Sequence, residues 1–352
     1  MGKIRYIYSE KPYQKMWDTF VFLESEPAAK EFLSEKYQKT GSDESYKFAF
    51  NNATKFIYFI KQAKAYFQAA EKSDNLVKPL LLYYGMMNLM KTVILTLDPT
   101  YPSRTGVLRH GVTTRKLKKT DYQFHDDELK IQKEGLLPWF YTLITASPIE
   151  KIEGNKYKNK ELLALLPELS ESYKFLYDKQ MIYPIEIQKN SNNLELSVDR
   201  GVLSFYNNDT KIFLQELNGF RLNKLYQYSI KDLSQNTEKL LFTLDSEIPS
   251  EESNKANFFQ NPLIIQDFKG NYYIRPYKES RFILPELMID FMLMYNLGML
   301  CRYETELWGE IIYSFNTKDI YIINEFINST TRKFPNLILN ALFDELIIFK
   351  ER

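Results

Sequence analysis

The run KPLLLYYGMMNLMKTVILTL, residues 78–97, constrains the fold more than any other stretch. From Leu80 to Leu97 the apolar side chains point in nearly every direction around a helix, and Asn88, Lys91, Thr92 and Thr96 leave only a narrow polar stripe. A helix that is apolar all round is buried by neighbours on several sides. Pro79 suits the first helical turn, and Asp98-Pro99 ends the segment because the residue before a proline is driven out of the α region. The length would also span a bilayer. Against that, a lysine near the bilayer centre costs about 2.5–3.5 kcal/mol on insertion scales, and Lys91 lies mid-segment. The expectation is a buried core helix and no membrane partner.

The flanking sequence predicts what covers it. Ser25-Glu26-Pro27 starts a helix that runs to about Gln38. A longer helix follows from about Glu44 to Glu71, with Phe48, Phe56, Phe59, Ile60, Ala63, Phe67 and Ala70 at helical steps. The short turn Ser73-Asp74-Asn75 folds it back on the buried helix as an antiparallel hairpin. Residues Ile4–Phe22 and Trp139–Ile144 fit no single pattern. Asp126–Glu134 reads as a short helix and Lys151–Lys160 as an exposed polar loop, with helices at Lys160–Leu166 and Pro167–Tyr177.

Between about 180 and 280 the pattern shortens into β-branched and aromatic runs: Ile182–Gln188, Leu194–Val198, Val202–Tyr206, Lys211–Leu214, Leu240–Leu244, Leu263–Gln266 and Tyr272–Tyr277. Asn207-Asn208-Asp209 and Lys269-Gly270-Asn271 read as hairpin turns. From Ile283 an apolar helix runs to Cys301, broken only by Glu286, Asp290 and Asn296. Helices at Glu304–Ser314, Lys318–Thr330 and Pro335–Phe349 follow, separated by a helix break at Arg332-Lys333-Phe334-Pro335-Asn336. The expected fold class is α+β and predominantly α-helical, a helical bundle with an internal antiparallel β region. Its parts are a helical region at 1–178, a β-rich insertion at 179–280, and a helical region at 281–352 that packs on the first.

Chemistry concentrates just after the buried helix. His110, one of two histidines, lies in a stretch with no acidic residue from Pro99 to Thr120. An imidazole with an ordinary pKa near 6.5 can take a proton from a ribose 2′-hydroxyl at neutral pH, and Arg104 or Arg109 could steady the phosphate. The other reading is a loop histidine that bonds backbone or ligand without catalysis. Arg115, Lys116, Lys118 and Lys119 extend the basic stretch into a phosphate-binding patch or a solvated loop balanced by Asp121, Asp126, Asp127 and Glu128. His125 beside those acids reads as a solvated helix N-terminus, not a metal site. Cys301-Arg302-Tyr303 reads as a packed thiol beside an arginine at a helix end. No Walker A loop, GxGxxG or GxSxG occurs, so no cofactor is expected.

Net charge is only +1, so any basic partner site must be local. A single cysteine and an N-terminus without an apolar leader point to the cytoplasm. Aromatics at 15% predict a dense core or a substantial partner surface.

The blocks KPLLLYYGMMNLMKTVILTLDPTYPSRTGVLRHGV, LGMLCRYETELWGEI and RKFPNLILNALFDEL resemble the bacterial YaaC-like family. More distantly, a Tyr-Tyr pair opening an apolar helix, followed by a loop with Arg104 and His110 separated by five residues, is similar to the HEPN superfamily of nucleotide- and RNA-associated helical domains. That likeness implies an RNA- or nucleotide-phosphate-binding protein, and in catalytic form a metal-independent endoribonuclease of toxin or phage-defence type. The alternative is a non-enzymatic interaction or scaffold protein, joined to itself as a homo-oligomer or to a protein partner.

Overall fold

The computed structural model describes residues 3–114, 122–189, 194–220, 226–230, 238–246, 261–276, 283–313 and 317–352. The chain is an α+β protein, predominantly helical. Strand β1 (Lys3–Ser9) leads into α1 (Pro12–Phe22), α2 (Glu26–Lys39), α3 (Ser45–Lys72) and α4 (Lys78–Leu97). A loop with a short 3-10 turn precedes β2 (Val112–Thr114), β3 (Glu128–Ile131), α5 (Leu136–Thr145), β4 (Lys156–Lys158), α6 (Asn159–Leu163) and α7 (Ser170–Tyr177). The β-rich stretch then supplies β5 (Tyr183–Lys189), β6 (Leu194–Asp199), α8 (Thr210–Gly219), β7 (Tyr226–Ile230), β8 (Lys239–Ser246), β9 (Ile264–Gln266) and β10 (Tyr272–Ile274). Helices α9 (Glu286–Tyr303), α10 (Thr305–Tyr313) and α11 (Asp319–Phe343) precede β11 (Glu345–Glu351).

Helix α4 is where the packing converges. It lies antiparallel on α3, with Tyr66 stacked on Tyr84 and Asn88 donating to Gln62 at 3.2 Å. Its other sides meet α9 and α11. Leu82, Met86, Leu89, Met90, Val93, Ile94 and Leu95 are buried. By length and composition alone this helix could cross a membrane; here about two thirds of its apolar window is buried. Thr92 and Thr96 donate to the carbonyls of Asn88 and Val93 within the helix, and Tyr37 of α2 donates to the Leu95 carbonyl at 2.8 Å.

The buried apolar side chains fall into two clusters. One joins residues 16–173 with residues 284–347, so the first and last parts of the chain share a core. The other lies within residues 183–274, around Phe213, Tyr228 and Phe242. Its six-stranded sheet runs in the order β7-β8-β6-β5-β10-β9, and every pairing is antiparallel. Lys269-Gly270-Asn271 forms the β9–β10 hairpin turn, with Gly270 at φ +87°. Strands β1 and β11 pair in parallel, Lys3 opposite Glu345 through Ser9 opposite Glu351.

Several local expectations are corrected. Asp126–Glu134 is not a helix: β3 pairs with β2 and β4, and Tyr157 of β4 is fully buried, so the stretch Lys151–Lys160 is only partly loop. Val202–Tyr206 is part of a 3-10 segment and Lys211–Leu214 opens α8. Asp199 and Asp209 cap these starts by accepting from the Gly201 and Lys211 amides, each at 2.7 Å. Asn207 and Asn208 sit at positive φ between the two helical pieces, not in a strand hairpin. The break at residues 332–336 does not exist. Helix α11 runs through Pro335, because Phe334, Ile338 and Leu339 are fully buried on either side and packing overrides the lost backbone bond. That helix stops at Phe343, where Asp344 turns the chain with φ +54° into β11.

Candidate functional site

The loop after α4 is held in place by the start of α5. The first amides of a helix have no partner inside it. Here the Leu136 amide donates to the Arg109 carbonyl at 2.7 Å, and the Leu137 amide to the His110 carbonyl at 3.2 Å. The Gln132 amide donates to the Gly111 carbonyl at 3.0 Å. This close approach needs two glycines. A Cβ on Gly135, at φ +140°, would lie 2.3 Å from the Gly111 Cα, and one on Gly111, at φ +80°, would lie 2.2 Å from Pro138 Cδ.

So anchored, the His110 ring lies half-buried between α4 and α9. Its centroid is 5.5 Å from those of both Tyr83 and Tyr295. Tyr83, packed also on Phe291, places its hydroxyl in a short contact with His110 Nδ1. Arg302, at the end of α9, donates to the Tyr84 hydroxyl at 3.4 Å and lies 4.8 Å over the Tyr303 ring. Burial lowers the His110 pKa, and the positive charges of Arg302 and Lys91 lower it further, so the ring is neutral at pH 7. Burial likewise raises the Tyr83 phenol far above its ordinary range, helped by Tyr295 and Tyr84. A phenol that keeps its proton donates it to Nδ1, its acceptor among the described residues. Nε2 then carries the ring hydrogen.

The sequence-predicted residues divide. His110 lies in the cleft between Tyr83 and Tyr295, called the His110 pocket below. Arg104 is largely exposed and faces Glu134 at 3.4 Å, in a groove with Pro138 and Trp139. The Arg109 side chain is exposed. Neither arginine is among the charges acting on the His110 ring. Arg115, Lys116, Lys118 and Lys119 lie outside the described residues. Sequence reasoning missed Arg302, taken for a helix-end cation, and Lys91, taken for part of a polar stripe. The visible signal for both was a charged residue on an almost wholly apolar helix.

His125 is not at a solvated helix N-terminus. It lies in a 3-10 turn, with Nδ1 2.8 Å from the buried Asp319 carboxylate, which also accepts from its backbone amide at 3.3 Å. Next to it the buried Asp127 accepts from Tyr122 at 2.9 Å and from Asn296 at 3.2 Å. The Cys301 thiol is packed and donates to the Leu76 carbonyl at 2.7 Å; burial raises its pKa. Among the described residues no three His, Cys, Asp or Glu side chains are arranged to hold a metal ion.

A second polar cluster was also overlooked. Lys333 of α11 is buried against two glutamates, 2.9 Å from Glu168 and 2.5 Å from Glu286. Burial works to lower the Lys333 pKa, and the two carboxylates overcome it and hold the ammonium charged. Asp290, one turn along α9 from Glu286, is buried as well. Burial and the neighbouring Glu286 raise its pKa well above the carboxylate range, while burial raises that of Glu286 to about 7.

Fold and pocket together define a predominantly helical α+β protein with a half-buried imidazole beside an arginine and a group of tyrosines. A family model described as YaaC-like protein matches residues 21–342, and the chain belongs to that family. No curated protein and no solved structure matches it.

Proposed function

We propose that the Tyr83–His110–Arg302 pocket binds the phosphate of a nucleotide or of RNA, in a HEPN-like manner. The observation that carries this is an imidazole held between two tyrosines, with the Arg302 and Lys91 charges near enough to lower its pKa. Nε2–H donates to one phosphate oxygen and the Arg302 fork to another, both as charge-assisted bonds. Tyr84 and Tyr303 offer faces on which a base can stack.

The ribonuclease form of this reading draws on the lowered pKa of the ring, which favours the unprotonated state a general base needs. It also has a requirement. Nε2 must be bare, so Tyr83 must accept from Nδ1–H instead of donating. The scaffold reading draws on the exposed aromatics Tyr46, Phe50 and Tyr58, which recur along α3 at steps of four and eight.

Fluorescence anisotropy with a short single-stranded RNA and with AMP at low salt tests the proposal. Arg302→Ala is expected to weaken both by about tenfold or more, the worth of one charge-assisted hydrogen bond. Bound phosphate favours the imidazolium, so affinity should rise as pH falls from 7.5 to 5.5, and His110→Gln should flatten that rise. RNA left unbound by the wild type, or an Arg302→Ala variant that binds equally well, sinks the reading. RNA cleavage in EDTA that is lost in His110→Ala would establish the catalytic form. Stable oligomers without RNA affinity would favour the scaffold.

A further inference from the structure

A cavity of about 170 Å³ separates the β-rich region from the helical body, and the phosphate pocket does not use it. Ile264 of β9, Tyr272 of β10, Leu337 of α11 and Ile348 of β11 form apolar walls, and Glu286 and Lys333 line it as the charged pair. About 150 Å³ is enough for a benzene-sized molecule. The charge behind its Glu286–Lys333 wall is unbalanced. Three acids, Glu168, Glu286 and Asp290, surround the single ammonium of Lys333. Asp290 Oδ2 is buried with no hydrogen-bond partner among the described residues. Arg275, the other cation acting on Glu286, turns one terminal nitrogen to the carbonyls of Pro262 and Leu284. Three carboxyl groups against the Lys333 and Arg275 cations leave one carboxyl group without a counter-charge, and burial raises the pKa of both Glu286 and Asp290.

We infer that this cavity is a binding site for a small monoamine, whose ammonium pairs with Glu286 and whose six- or seven-carbon body fills the apolar space. Burial raises the Glu286 pKa to about 7, and a cation beside it favours the ionised carboxylate, so binding releases a proton from the protein. An anion would meet the surplus carboxyl groups, and a neutral molecule would leave the imbalance in place.

Calorimetric titration of the full chain with cyclohexylamine at pH 7, in two buffers of different ionisation enthalpy, reads affinity and proton release together. Cyclohexanol is the neutral control. The expected result is one site, release of a proton, and cyclohexanol weaker by about tenfold or more. Leu337→Trp, at a half-buried wall, should remove binding while the chain stays folded, and Glu286→Gln should bring the amine down to the alcohol. Equal affinity for amine and alcohol, no heat at millimolar amine, or unchanged binding in folded Leu337→Trp overturns the inference. RNA affinity at the His110 pocket is independent of all these outcomes.

Discussion

Replacing Lys333 by methionine is expected to destabilise the chain by about 3–5 kcal/mol, the range for removing one partner of a buried ion pair. The methionine fills similar space, so the loss is electrostatic: Glu168 and Glu286 stay buried with no ammonium between them. Adding Glu168→Gln and Glu286→Gln should recover much of that loss. Chemical denaturation of the single and triple variants checks this, and a triple variant no better than the single one would refute the electrostatic account. The pH dependence follows from the same groups. Glu286 has a folded pKa of about 7 against an ordinary 4.5, so its protonated form favours the folded state. That contribution is complete below pH 4.5 and fades as pH rises through 7. Asp290 and Asp127, also raised, act in the same direction, whereas the lowered His110 opposes them below its ordinary 6.5. The melting temperature should therefore fall from pH 6.5 to 8.5. Glu286→Gln with Asp290→Asn should flatten that fall.

Gly135→Ala is the second large expected effect. A residue with a Cβ at such a φ costs about 1–3 kcal/mol before any collision. Here the new carbon also meets the Gly111 Cα at 2.3 Å and the Gly111 nitrogen at 2.4 Å. Backbone atoms cannot rotate away as a side chain would. The strand of chain from Arg109 to Gly111 must leave α5, giving up the Leu136 and Leu137 bonds that position His110. The expected readouts are a lower melting temperature, an imidazole NMR signal moved to its solvent-exposed position, and loss of phosphate affinity. An alanine variant with the wild-type imidazole signal would show that the two glycines do not hold the ring.

How much of this was legible depended on where each residue's partners lie in the chain. Helix α3 was readable from its apolar periodicity and α4 from its unbroken apolar run, because both signals are local and both helices are long. The hairpin at Gly270 was readable because its turn residues are adjacent. β11 was not, since Ile347 and Ile348 suit a strand only once β1 is beside them, and β1 is at the other end of the chain. The pocket was half legible. His110 stands out as a scarce residue in a basic loop, but its companion Arg302 arrives from α9 and nothing within the loop announces it. The Lys333 cluster was lost to a rule: Pro335 suggested a stop, and a lysine beside a stop looks solvated. Glu286 and Asp290, spaced one turn apart on an apolar helix, were the better clue.

The way α4 is covered has a consequence for biosynthesis. Helices α9 and α11, which shield its far sides, are encoded long after it. At translation rates of about 5–20 residues per second, that oily surface stays naked on the ribosome for tens of seconds. A nascent chain of this design calls for chaperone guardianship, and truncations that end before residue 286 should clump in the cell instead of accumulating as usable fragments.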